Sequence, residues 1–124
     1  MEDKNRIVVM GSDSLPEMTA LEFKEKVGMI SNNQQLADAF AFSSNKFWWV
    51  EDNEYDFEEG TFEHKRAIEI TDEWGALMDG YKNLIFDILR EEGTEIPDKG
   101  QIVVLEPFMK RYGYRDGNGW WIKE

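Results

Sequence analysis

The residues that most often perform catalysis are scarce in this sequence of 124 residues. It contains no cysteine and a single histidine, His64, so thiolate chemistry and cysteine-based zinc sites are excluded, and a Ser-His-Asp triad has one candidate base. Neither G-x-x-x-x-G-K-[ST] nor G-x-G-x-x-G occurs, so the chain has no glycine-rich phosphate loop of a known pattern. We therefore expect a protein that is not an enzyme and that needs no cofactor.

The chemistry that the sequence does offer is concentrated negative charge. Residues 51–60 contain six carboxylates and no basic residue: Glu51, Asp52, Glu54, Asp56, Glu58 and Glu59. A calcium loop beginning at Asp52 would find acids near the required positions, but its obligatory glycine is replaced by Phe57. We therefore expect no metal site. The pattern favours a solvated acidic loop that contacts a basic protein partner.

Two tryptophan pairs and one basic cluster are the other candidate contact sites. The pairs are Trp48-Trp49 and Trp120-Trp121, and on a strand one member of each pair is either covered by a second layer or displayed. Displayed tryptophan beside charge is typical of protein interfaces, which makes Trp48 and Trp121 candidate anchors. The basic cluster offers an anion or nucleotide site, unless its arginines pair with carboxylates of the chain itself. Its residues are Arg111, Tyr112, Tyr114 and Arg115.

Capping patterns and hydrophobic spacing predict three helices. Thr19 and Glu22 form a capping box that opens a short helix ending at about Val27. The same pattern at Ser31 opens a second short helix. A single apolar stripe at 3, 4 and 7 spacing, which runs from Trp74 through Leu84 to Leu89, predicts a long amphipathic helix over about 71–92.

The strands are predicted from aromatic content, alternation and continuous apolar runs. They are residues 6–10, 46–50, 61–70, 101–105 and 120–122. A sharp turn at residues 116–119, Asp-Gly-Asn-Gly, leads into the last of them and predicts a C-terminal hairpin. The second and third are expected to form a β-hairpin around the acidic loop. The fold class is therefore α+β, with a small, mostly antiparallel sheet packed by the long helix and the two short N-terminal helices.

The composition limits the partners and the compartment. Twenty-six acidic residues against fourteen basic ones give a net charge of −12, which repels nucleic acid and anionic membranes and attracts basic proteins. No stretch is apolar enough for a signal core or a membrane span. With no cysteine to form disulfides, these features favour a cytoplasmic protein that forms one domain over residues 1–124.

A short, acidic, cysteine-free and aromatic-rich chain is typical of small intracellular inhibitors, including immunity proteins for toxins and phage proteins that mask a nucleic-acid channel. The leading hypothesis is therefore a non-catalytic inhibitor or immunity-type protein that neutralises a basic, nucleic-acid-handling protein. One alternative is a small-molecule or nucleotide-binding module that uses Arg111 and Arg115. Another is a domain that associates with itself through displayed tryptophans, as a homo-oligomer.

Overall fold

The fold is α+β, with four helices and one two-stranded antiparallel sheet among the described residues. A computed structural model describes residues 19–54, 58–117 and 120–124, and the side chains of 50–54 and 63 are left out of the description. The sequence-based fold class is therefore confirmed. The strand predicted at residues 6–10 lies outside the described residues, and the single domain over 1–124 stays a prediction.

Two long helices form the centre of the structure. Helix α2 spans Asn33–Glu54 and helix α3 spans Phe62–Glu91. Residues later in α2 lie next to residues earlier in α3: Phe40 shares a groove with Met78, and the Phe47 ring lies against Gly75. The two helices are therefore antiparallel, and the end of α2 at Glu54 and the start of α3 at Phe62 lie at the same end of the pair.

The first helix covers one side of this pair. Helix α1 spans Ala20–Val27 and begins with the predicted capping box, in which the Thr19 side chain accepts from the Glu22 N–H and the Glu22 carboxylate accepts from the Thr19 N–H. Its Phe23 ring stacks on Phe42 of α2, with ring centres 4.4 Å apart, and touches Trp74 of α3. These rings form the core where the three helices meet.

A short helix and a β-hairpin cover the other side of α2. Helix α4 spans Ile102–Arg111, strand β1 spans Tyr114–Gly117 and strand β2 spans Trp120–Lys123. The hairpin, predicted from its turn residues, is confirmed. The sheet rests mainly against α2 and α4, whereas the long helix α3 packs mainly against α2 and α1.

Three of the predicted strands are wrong, because these segments are helical. Residues 46–50 belong to α2, residues 61–70 fall almost wholly in α3, and residues 101–105 open α4. The acidic connection therefore joins two helices and not two strands. The second helix is longer than expected, and the long helix begins nine residues before the predicted start at Thr71.

Helix α2 was misread because it is buried nearly all round. Between Leu36 and Lys46, every side chain except that of Asp38 is buried, polar ones included. Such a helix has no polar face, so its sequence lacks the 3.6-residue period that identifies a surface helix. The aromatic run at its end therefore resembled a strand.

Candidate functional site

Negative charge collects at the end of the α2–α3 pair. We call residues 51–60 the acidic tip. Its first four residues, 51–54, form the last turn of α2, and its last three, 58–60, lead to the start of α3. Glu58 and Glu59 are exposed, and among the described residues neither forms an ion pair. Asp56 lies outside the described residues.

This negative charge has opposite effects on the stability of the two helix ends at the tip. A helix carries about half a negative charge at its C-terminus and half a positive charge at its N-terminus. Acidic residues near the start of α3, where Thr61 caps the helix, are therefore favourable. The last turn of α2 holds Glu51, Asp52 and Glu54 and no basic residue, which opposes the helix dipole. A nearby external cation would relieve this repulsion.

Trp48 lies on α2 one turn before the acidic residues. Its side chain is 43% exposed, and its ring meets the ring of Phe47 edge-on with centres 4.9 Å apart. Positions 51 and 52 follow it by three and four residues, so they share its face of the helix. Trp48, which is half-exposed, therefore shares one face of α2 with two acidic positions.

A groove opens beside this tryptophan. The Trp48 groove has a volume of ≈ 500 Å³ and lies between α2, α3, α4 and the β-hairpin. Phe40, Leu105 and Trp121, which are buried, form its base. The more accessible lining residues come from all four elements: Trp48, Met78, Lys82, Ile102, Asp116 and Trp120.

Trp121, the other predicted anchor, is 4% exposed and packs against Phe40 with ring centres 6.0 Å apart. Its backbone is held by the buried side chain of Asn45. The Asn45 amide donates to the Trp121 carbonyl at 3.1 Å, and the Trp121 N–H donates to the Asn45 side-chain oxygen at 2.9 Å. Burial removes Trp121 as a displayed anchor, and its partner in the pair, Trp120, is the more accessible of the two.

The basic cluster is joined to carboxylates of the chain itself. Arg111 forms two hydrogen bonds with Glu92, both of 2.8 Å, and Arg115 lies 3.8 Å from Glu124. The Glu92 pKa is lowered, chiefly by the hydrogen bonds from Arg111. In the described part of the chain every arginine lies within 4 Å of a carboxylate.

The two tyrosines of the cluster support the fold. Tyr114 is fully buried, and its hydroxyl donates to Asp38 at 2.6 Å. Burial, and then this hydrogen bond, raises the pKa of Tyr114 well above its usual value. The Tyr112 hydroxyl accepts from the Asn33 amide at 3.0 Å. Since Tyr114 is enclosed, it offers no face on which a base could stack.

A second surface was not predicted from the sequence. A groove of ≈ 800 Å³ lies between α1 and α3 and includes Leu21 and Leu84, which are 65% and 43% exposed. Leu84 was assigned to the buried stripe of the long helix. The spacing of the stripe was correct, but α1 is too short to cover all of it.

His64 is the third residue of α3, and its backbone N–H donates to the Thr61 hydroxyl at 3.2 Å. Among the residues whose side chains are described, no three His, Asp or Glu side chains are grouped as metal ligands. Within the described ranges, no helix combines the length and apolarity needed to cross a membrane. Comparison of the chain with family models, curated proteins and solved structures finds no match.

Proposed function

We propose that this chain is a non-catalytic binding protein that neutralises a basic protein partner through the acidic tip and Trp48. The observation that carries the proposal is the position of the tip. Three acidic residues, Glu51, Asp52 and Glu54, occupy the last turn of α2, where their charge opposes the helix dipole, and this turn follows Trp48, which is 43% exposed. This arrangement lowers the stability of α2 in the isolated chain, and a cationic partner would make it favourable.

The distribution of charge supports the same assignment. Residues 51–73 hold ten acidic and two basic residues, a formal charge of −8 out of −12 for the whole chain. Glu69 and Glu73 in this range lie within 4 Å of Arg66, as Glu92 and Asp87 lie near other arginines, whereas Glu58 and Glu59 form no ion pair among the described residues. A charge concentrated at one end of a helix pair steers a basic protein towards that end and raises the rate of association.

The kind of partner follows from the sign of the charge. Proteins that handle nucleic acids have basic sites for phosphates, and an acidic surface competes for such sites. In this proposal the chain acts as an inhibitor or immunity-type protein. It acts in the cytoplasm, in keeping with its lack of cysteine, and binds neither nucleic acid nor membranes directly.

The first experiment captures partners from a lysate of the native host at low and high salt, with the bound proteins identified by mass spectrometry. The test variant is Glu58→Lys with Glu59→Lys. The control is Glu95→Lys with Asp98→Lys, because these residues are also exposed, lie outside helices and give the same change in net charge. We expect a basic protein that binds at low salt, is released at high salt, and is lost only in the tip variant.

Two results would refute the proposal. If the tip and control variants weaken capture equally, net charge and not the tip governs binding. If the tip variant still captures the same protein at low salt, the acidic tip is not the binding surface. Association measured by calorimetry with the purified partner then gives the salt dependence, which we expect to be steeper for the wild type than for the tip variant.

Self-association remains a competing proposal, supported by the exposed side chains of Leu21 and Leu84 at the groove between α1 and α3. Sedimentation of the wild type and of Leu21→Lys distinguishes the two. A dimer that is lost in Leu21→Lys favours self-association, and a monomer at high protein concentration refutes it. The nucleotide-binding alternative gains no support, since Arg111 is occupied by Glu92 and Tyr114 is buried.

A further inference from the structure

The Trp48 groove has walls suited to a long, flat and cationic side chain. Trp48 and Ile102 are 43% and 42% exposed, and Trp120 and Met78 are partly accessible, so the groove presents apolar and aromatic surface to solvent. A guanidinium group is planar and weakly hydrated, and it stacks on the faces of indole rings. The three methylene groups of an arginine side chain would cover the apolar wall below it.

The charges of the groove favour a cation. Asp116 contributes a carboxylate, and a carboxylate has about four acceptor sites, so it can accept a guanidinium in addition to the contacts it makes within the chain. Among the described residues that line the groove, Lys82 is the one cation, and its ammonium lies 3.4 Å from an Asp79 oxygen. The acidic tip adjoins the groove through Trp48, so an anionic occupant would be repelled.

We propose that the Trp48 groove binds an arginine side chain of the basic partner, stacked on the groove indoles with its guanidinium bonded to Asp116. The inference rests on the proposed function, since it specifies which basic side chain the surface selects. The acidic tip attracts any basic segment, and the groove distinguishes arginine from lysine. A lysine ammonium is compact and strongly hydrated, so it gains less from the same walls.

The test uses two synthetic peptides of equal charge, hexa-arginine and hexalysine, both with blocked ends, at about 10 mM ionic strength, where surface charges are weakly screened. Affinity is measured by calorimetry. The binding position is read from the indole N–H signals of the ¹⁵N-labelled protein. Trp74, which is 1% exposed, serves as the internal reference. The variants are Trp48→Ala and Asp116→Asn, and Met29→Ala alters an exposed apolar residue away from the groove as a control.

We expect hexa-arginine to bind roughly two- to fivefold more tightly than hexalysine, as stacking on an exposed indole implies. The Trp48 and Trp120 signals should shift while that of Trp74 does not. Trp48→Ala and Asp116→Asn should each reduce the preference for arginine, and Met29→Ala should leave it unchanged. Asp116→Asn alters charge and keeps shape, so it reports on the groove even if Trp48→Ala disturbs the fold.

The possible failures separate the two proposals. Equal binding of the two peptides, or a preference that survives both groove variants, overturns the arginine site and leaves the acidic surface in place. If neither peptide binds at low salt, attraction of basic segments by the tip is refuted as well.

Discussion

The contact between Phe47 and Gly75 allows the packing of the two long helices to be tested with one methyl group. A Cβ atom at Gly75 would lie 2.9 Å from Cε1 and 3.1 Å from Cδ1 of the Phe47 ring, well inside the 3.5–4.0 Å of a favourable carbon contact. Gly80, five residues later on the same helix, has nothing within 4 Å of its Cβ position. Alanine at these two positions therefore gains the same helix propensity and differs in the clash.

The expected changes in the free energy of unfolding follow from helix propensity and from the steric clash. Replacing glycine by alanine inside a helix stabilises a protein by about 0.5–1 kcal/mol, which Gly80→Ala should show in full. Overfilling a packed site costs about 1–3 kcal/mol, so Gly75→Ala should range from about neutral to 2.5 kcal/mol less stable than wild type. At roughly 3–5 °C for each kcal/mol, the two melting temperatures should differ clearly.

The assay is urea unfolding followed by circular dichroism, which gives the free energy of unfolding for each variant. In a Phe47→Ala background, Gly75→Ala should become stabilising, because the three atoms nearest to its Cβ position all belong to the Phe47 ring. If Gly75→Ala is as stable as Gly80→Ala in the wild-type background, the ring does not press on α3, and the described register of α2 and α3 is wrong.

Three further substitutions test the hydrogen bonds that hold the fold. Asn45→Ala should lower the free energy of unfolding by about 2–5 kcal/mol, measured in urea, because it leaves a buried N–H and carbonyl of Trp121 without partners. A loss below about 0.5 kcal/mol would contradict the two hydrogen bonds between Asn45 and Trp121. Tyr114→Phe should cost about 1 kcal/mol near neutral pH through the lost bond to Asp38. Because the pKa of Tyr114 is raised in the folded state, the stability that its protonated hydroxyl contributes is complete below about pH 10, the usual tyrosine pKa, and is lost as the pH rises further. The wild type should therefore lose more stability than Tyr114→Phe between about pH 9 and pH 11. Equal losses in the two proteins would refute this. Thr61→Ala should cost about 1 kcal/mol by removing the cap of α3, with Thr61→Ser as the control that retains it, and an unchanged melting temperature in Thr61→Ala would show that the cap is not needed.

The sequence predicted the elements whose signals are local. The capping box of Thr19 and Glu22 and the turn residues of the β-hairpin act on their immediate neighbours, so they could be recognised without knowing the rest of the fold. The apolar stripe of α3 was found as well, but its beginning was missed. Ala67 and Thr71 are buried and continue the stripe to Trp74 at spacings of four and three, which alternation over 61–70 concealed.

The errors in α2 and α4 have a tertiary cause. Ser43 and Asn45 are fully buried polar residues. The Ser43 hydroxyl donates to the Ala39 carbonyl one turn earlier, whereas the Asn45 amide bonds to the backbone of Trp121, 76 residues away. The second of these partners cannot be read from a local pattern. In α4, Val103 is 65% exposed, so the apolar run over 101–105 marks a surface helix and not a strand covered on both faces.

The candidate site, too, could be predicted from local sequence only in part. The acidic tip could be found by counting charges, and Trp48 could be chosen because it is close to the acidic residues in the sequence. The groove could not be found, since α3, α4 and the hairpin, which come from distant parts of the chain, supply most of its lining. The exclusion of Trp121 also needed the structure, because alternation along β2 does not say which of the two tryptophans faces α2.

The Asn45 side chain has a consequence for the order of folding. An isolated two-stranded hairpin is only marginally stable in water, and here a helix side chain takes the place of a third strand at its inner edge. Helical turns form within the helices themselves in microseconds or less, whereas this closure spans 76 residues of sequence and carries the entropy of a long loop. We therefore expect the helices to be populated before the hairpin is fixed, and the Trp121 amide to become protected from hydrogen exchange only in the last step of folding.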